Sequence, residues 1–374
     1  MPTASTLLSS TSSAKIYTVE VELVRPDGTE PTTWRAASMG IQPNRTNHYY
    51  PPRITGVPSV RRSLQETSYG RSQLTYGDVV LAAPGMEADL DEWAWVGRPL
   101  TIKLGWPEVH VDEFLPVFSG RVRGIRQTQR AITIQVVDTQ ADLWERHHPE
   151  HNGQDTLANL VSGALSAAEI TDIDQDAWDA WAAENPWSAY LITSGNESMG
   201  SILDRLLAPL GCWYTMDRQG RFVVGTMHPP ADAANSVRGH ITARNRLRGS
   251  WTSERQAARW RIELSYISSP PSGTTALSHE DQAIRDVNPI ASSKGPLSSQ
   301  LVNETDAQAV VDRLWTLYGV ERSKVRVTTK VKSLALNLHD CLEVDFPGAG
   351  SKLMRVTGLN EDLQRSRVTL ELWG

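Results

Sequence analysis

Three imidazoles and a carboxylate crowd one short run of the 374-residue chain, His147-His148-Pro149-Glu150-His151. Neutral imidazoles and carboxylates are good zinc ligands. Pro149 prevents one continuous helix through the run, so the H-E-x-x-H geometry, which needs both imidazoles on one helical face, is unavailable. The spacing of His147, His148 and His151 matches no standard site, and the run reads as a polar linker with no metal expected. Asp172, Asp174, Asp176 and Asp179 lack the glycine and closing glutamate of a calcium loop. They suit a helix start, where the dipole favours carboxylates. Trp178, Trp181 and Trp187 could stack on a sugar, but helical spacing makes them a packing face. Ser194-Gly195 and similar pairs lack the G-x-S-x-G nucleophile pattern, and no glycine-rich phosphate loop occurs. His48, His110 and His279 fall in expected loops. No catalytic residue and no cofactor are indicated, so the chain is not read as an enzyme.

Composition narrows the alternatives. Hydrophobic residues at 40% and charged residues at 21% describe a globular protein with real cores, and the length suits two or three domains. A net charge of −6 argues against a nucleic-acid-binding surface, though not against a wall that DNA slides past. Two cysteines, Cys212 and Cys341, are too few for a disulfide framework or a four-cysteine metal site. There is no apolar run long enough to span a membrane. The Ser/Thr-rich start has no signal-peptide character and reads as a frayed arm over residues 1–14, so synthesis and assembly are expected in the cytoplasm. Tryptophan outnumbers phenylalanine 13 to 4, which favours protein interfaces or sugar binding.

The elements that must position these residues alternate between two periods. Tyr17, Val19, Val21 and Leu23 follow a strand period, as do Leu100, Ile102 and Leu104, and Ile132, Ile134 and Val136. Residues 15–150 therefore read as a first β-barrel with long loops. A period near 3.6 follows: Leu157, Leu160, Val161, Ala164 and Leu165 share a helical face behind Asp155 or Thr156, and Ile202, Leu203, Leu206 and Leu207 share another after Ser198. An Asp217–Gly220 turn then predicts a hairpin. Residues 151–230 read as a small α+β domain, closed by Pro229-Pro230. Residues 231–374 read as a second β-barrel carrying one long helix, with Asn303 as N-cap and Gly319 as its stop.

One internal echo stands out. Arg121-Val122-Arg123-Gly124-Ile125 leads through a polar turn to Arg130-Ala131-Ile132-Thr133-Ile134. Arg355-Val356-Thr357-Gly358-Leu359 leads likewise to Arg367-Val368-Thr369-Leu370. Each is preceded by a further strand. The same order with matching turn chemistry points to duplicated barrels.

With these features the sequence resembles the baseplate-hub and tail-tip proteins of long-tailed bacteriophages and related tail-like machines. The resemblance rests on Gly77 to Gly105, on Ser198 to Val223 with its S-x-x-x-I-L-x-x-L-L and D-x-x-G-R-F pattern, and on the R-V-x-G ending through L-E-L-W-G. It departs where the family's Gly-Asp turn is His339-Asp340. It implies a mainly β fold of two tail-tube-like barrels flanking an α+β domain. It also implies a structural virion subunit assembled as a homotrimer, in which three chains would offer six quasi-equivalent barrels, a pseudo-six-fold ring, to the six-fold ring above and three-fold symmetry below. Implied partners are the tail tube or distal tail ring, the tape-measure protein, the central fibre or receptor-binding tip proteins, and DNA as transient cargo. Trp93, Trp95, Trp106, Tyr69 and Arg98 are the expected interface residues. The alternatives are a distal-tail adaptor ring, which would carry one barrel, and a tail-associated glycan-binding or cell-wall-cleaving protein.

Overall fold

The computed structural model describes residues 14–41, 48–64, 76–83, 87–230, 236–330, 335–365 and 367–374. The first strands are β1 (Ile16–Leu23), β2 (Thr32–Ala37), β3 (Ile54–Gly56), β4 (Ser59–Ser63), β5 (Tyr76–Ala82), β6 (Pro99–Gly105), β7 (Leu115–Gln127) and β8 (Ala131–Asp138). Alternation sets their faces: Val19, Val21 and Leu23 are buried while Glu22 meets water. They form a sheet in the order β2-β1-β6-β7-β8-β5-β3. Its two ends approach each other where Ala37 N–H donates to the Pro51 carbonyl at 2.8 Å, which curls the sheet toward a barrel.

The middle of the chain pairs β9 (His151–Thr156) with β10 (Ser188–Thr193), and β11 (Cys212–Met216) with β12 (Phe222–Thr226). Helices α1 (Leu157–Ala167), α2 (Gln175–Glu184) and α3 (Met199–Leu207) pack around them. Thr156, Asp174 and Ser198 cap these helices by accepting the N–H of the third residue on. The expected apolar faces are the buried ones.

The rest comprises β13 (Val237–Ile241), β14 (Thr252–Gln256), β15 (Arg261–Ser269), β16 (Gly273–Glu280), β17 (Ser293–Ser298), α4 (Glu304–Tyr318), β18 (Arg322–Lys330), β19 (Cys341–Phe346), β20 (Gly350–Asp362) and β21 (Arg367–Trp373). A second large sheet runs β13-β19-β20-β21-β18-β14, and β16-β15-β17 form a small one under α4. Asn303 caps α4 as expected. The architecture is mainly β, two barrel-like sheets flanking an α+β unit.

The echo is a structural duplication. Spatial order β6-β7-β8-β5 in the first sheet repeats as β19-β20-β21-β18 in the second, so in both copies the first strand lies beside the last. The R-V-x-G motif is a β-bulge in each, with the register slipping between Val122 and Gly124 and between Val356 and Gly358. The approach to the bulge also repeats. Gly97 N–H donates to Val122 O at 2.7 Å and Val122 N–H to Arg98 O at 2.9 Å; His339 N–H donates to Val356 O at 2.7 Å and Val356 N–H to Asp340 O at 2.9 Å. Gly97 and His339 both hold a left-handed φ, +81° and +68°.

Two expectations need correction. Strand β4 lies in the stretch assigned to the first barrel, yet it pairs with β20 of the second, Ser63 opposite Gly358 through Ser59 opposite Asp362. The histidine run is no free linker: His148 N–H donates to Glu197 O at 2.8 Å, His148 is buried, and His151 opens β9. The segment between β10 and α3, through Glu197 and Ser198, holds the run in place.

The bulge glycines differ in tolerance. A Cβ on Gly358 would lie 2.5 Å from Glu371 Oε2 and 3.0 Å from Glu371 Cβ, whereas one on Gly124 meets only Gln135 Oε1 at 3.1 Å. Gly358→Ala is expected to lose about 1–3 kcal/mol of stability and Gly124→Ala under about 1 kcal/mol, read from urea unfolding of each full-length variant.

Candidate functional site

The three parts of the chain meet at one carboxylate. Strand β20 continues its inward parity from Leu359 to Glu361, so the Glu361 side chain enters the protein and is 0% exposed. Arg62 of β4 donates Nη2–H to Glu361 Oε2 at 2.8 Å, and Arg218 donates Nη2–H to Oε1 at 2.5 Å. The two guanidinium side chains are only 8% and 13% exposed. Burial draws the Arg62 pKa below the usual arginine range, and Glu361 opposes that shift.

Local structure aims Arg218. It sits in the β11–β12 turn, where Asp217 Oδ1 accepts the N–H groups of Gln219 and Arg221 at 2.8 and 2.9 Å and Gly220 takes φ +84°. This turn chemistry directs Arg218 onto Leu336 O at 2.6 Å and Asn337 Oδ1 at 2.7 Å as well as Glu361. On the other side β4 is stitched to β20 by backbone pairing, by Leu64 N–H to Thr357 O at 2.8 Å, and by an exposed Arg61–Glu371 contact at 3.4 Å. The Tyr17 hydroxyl of β1 donates to Leu363 O just beyond β20. A cavity of about 290 Å³ lies at the junction between Arg62, Trp213, Thr215, Arg218 and Asn337.

His339 forms a second contact between the middle unit and the second sheet. Its Nε2 accepts the His228 N–H at 3.1 Å, its ring lies 5.8 Å from that of Trp213, and Arg355 donates to its carbonyl at 3.1 Å. Burial, with Arg355 and His228 beside it, holds its pKa well below the ordinary histidine value. Accepting a hydrogen bond at Nε2 also requires that nitrogen to be unprotonated.

The residues singled out from sequence scatter. Trp106 is 0% and Trp95 4% exposed, so both are core residues of the first sheet rather than an outward interface; Trp95 packs edge-on against Trp34 at 5.2 Å. Trp93 is half-buried beneath the Arg25 guanidinium, and Arg98 Nε donates to Glu22 O at 2.9 Å. Tyr69 lies outside the described residues. His148 and His151 face each other at 6.2 Å between ring centres, and among the described residues no group of three His, Cys, Asp or Glu could hold a metal. Trp181 and Trp187 are buried, Trp187 under Arg313. Both cysteines are free and buried. The Arg62–Glu361–Arg218 group was missed; its one signal was a glutamate at the inward parity of an otherwise apolar strand.

No family model and no curated protein sequence matches the chain. Solved structures match it in fold. A tail protein from Neisseria meningitidis MC58 superposes with a TM-score of 0.57 at 13% identity, over 96% of both chains. The prophage tail protein gp18 from Listeria monocytogenes EGD-e gives 0.54 at 9% identity, over 96% of this chain and 94% of that one. A 43 kDa tail protein of prophage MuSo2 from Shewanella oneidensis gives 0.51 at 14% identity, over 96% of both chains. The fold is thus shared along nearly the whole length with phage tail proteins.

Two outcomes follow from the junction. Glu361→Ala strands two buried guanidiniums and is expected to lose about 3–5 kcal/mol, with recovery when Arg62 and Arg218 are also replaced by methionine. Arg61→Ala, at an exposed pair, should change stability by less than about 1 kcal/mol in the same denaturant titration. For His339 the folded pKa is depressed, so the unfolded chain takes up the proton first as the pH falls. Its contribution is complete above about pH 6.5 and is lost below it, at up to about 1.4 kcal/mol per pH unit. His339→Asn, which tolerates the left-handed φ, should flatten that part of the stability–pH curve.

Proposed function

We propose that the chain is a structural subunit of a phage tail tip or baseplate hub, located in the virion and acting by assembly rather than catalysis. The observation that carries this reading is the duplication: two copies of one four-strand unit, with the same order, bulge and entry turn, inside a fold shared with tail proteins. Three such chains around an axis present six near-equivalent sheets, which fits a six-fold tube or distal tail ring on one side and three-fold tip or fibre components on the other. The Glu361 junction supports it, because neighbouring sheets in a ring must keep a fixed angle to each other. In this reading the tape-measure protein ends inside the ring and DNA passes through it as cargo, along a chain whose net charge of −6 disfavours adhesion to DNA. The division into residues 1–14, 15–150, 151–230 and 231–374 remains part of the proposal, amended by β4.

The distal-tail adaptor fits less well, since an adaptor with one barrel per chain has no use for the second copy. A sugar platform is disfavoured by the burial of Trp181 and Trp187. Light scattering of the purified full chain, and averaged images of tail tips carrying it, test the proposal together. Three chains per ring with six lobes are expected. A stable monomer that is missing from tails, or a ring of six chains, would overturn it.

A further inference from the structure

The duplication exposes a difference between its two copies. In the second sheet β20 has two neighbours beyond its bulge: β21 on one side and β4 on the other, over Gly358–Asp362. The counterparts in the first sheet are Gly124 to Thr128, because Gly124 faces Gln135 of β8 as Gly358 faces Glu371 of β21. There β6 ends opposite Arg121, the Gly97-Arg98 turn pairs with Val122, and among the described residues no strand follows. Leu359 and Glu361 are buried, whereas Ile125 is only half-buried and Gln127 is exposed.

The direction of the backbone groups is fixed. Thr128 N–H donates to Ala131 O within the β7–β8 hairpin, so Thr128, Arg126 and Gly124 turn their N–H groups to β8. Ile125 and Gln127 turn theirs outward, as Leu359 and Glu361 turn toward β4. Among the described residues, the first sheet therefore has an empty strand slot where the second has a filled one.

We propose that this slot, the outer edge of β7 at Ile125 and Gln127, receives strand β16 from a second copy of the chain. Chain order supplies the occupant. In the first half, β3 lies at the β5 edge and the next strand, β4, crosses to the other sheet. In the second half, β14 lies at the corresponding β18 edge, and the next element is the β16-β15-β17 sheet, which pairs with neither large sheet. Around a closed ring, the first sheet donates to the second within a chain, and the second donates to the first of the next chain.

Charge and apolar surface agree. Arginine-bearing β4 meets Glu361 and Glu371; their counterparts are Gln127 and Gln135, flanked by Arg123, Arg126 and Arg130. That edge suits a strand of hydroxyls and carboxylates, and β16 reads Gly273-Thr-Thr-Ala-Leu-Ser-His-Glu280 before Asp281. Its other partner position is open among the described residues, whereas β17 carries Lys294 and Pro296. Val287 and Ile290, which follow β16, are 88% and 91% exposed, and exposed Val96, beside the Gly97-Arg98 turn, lies on the slot side of β7.

This inference rests on the ring reading, and the test separates the two. Hydrogen exchange on the full chain, assembled and diluted to monomer, should show the Ile125 and Gln127 amides and those of β16 slowed at least tenfold only in the assembly. Gln127→Pro, which removes an outward N–H that β8 does not use, should weaken assembly at least a hundredfold while the monomer's unfolding midpoint stays near wild type. Should the proline variant not fold, Arg126→Glu with and without Glu280→Arg replaces it: the first weakens assembly and the pair restores it. An assembly in which these amides stay unprotected, or protection that appears only with a different tail protein, overturns the strand exchange and leaves the ring standing. A wild-type chain that never assembles overturns both.

Discussion

A carboxylate with no access to water cannot stand alone. Moving such a charge out of solvent costs several kcal/mol, and the cost is met only if opposite charge arrives with good geometry. At Glu361 that charge comes from Arg62 and Arg218, one guanidinium per oxygen, and each arginine belongs to a different part of the molecule. The condition is therefore collective: β20 is comfortable only when β4 and the β11–β12 turn are both in place. Apolar side chains would also hold the three parts together, but through area, which tolerates sliding and rotation. Directional charge-assisted bonds fix an angle.

The same junction explains why the two sheets, though copies, are not interchangeable. The bulge raises local twist and turns the strand at the same point in both, so R-V-x-G is retained in both. The entry turn has diverged. Gly97 has open space around it, while His339, at the matching left-handed position, carries a ring that accepts a bond from His228 and lies against Trp213. What is a bare turn in one copy has become a contact with the middle unit in the other.

Features governed by near neighbours were legible in the sequence. Thr156, Ser198 and Asn303 cap helices because capping is settled within three residues, and the apolar faces behind them follow from period alone. The duplication was readable because bulge and partner strand lie close in the chain. The crossing of β4 was not, since Ser59–Ser63 has no distinctive alternation and its partner lies almost a chain length away. Trp95 and Trp106 were misplaced for a related reason: tryptophan is common in interfaces and in cores, and only the closure of the sheet around them decides which. Glu361 left a trace in its parity, but nothing local named its arginines.

The reach of β4 also sets a clock. Arg62 and Glu361 are separated by 299 positions. At bacterial synthesis rates of about 5–20 residues per second, roughly 15–60 s pass between the emergence of one and the other. During that interval a cationic strand among the first to leave the ribosome has no partner from its own chain, and the last sheet to be made closes over a segment that has been waiting since the beginning. The fold is thus finished from both ends at once, and a nascent chain halted before β20 carries β4 unclaimed.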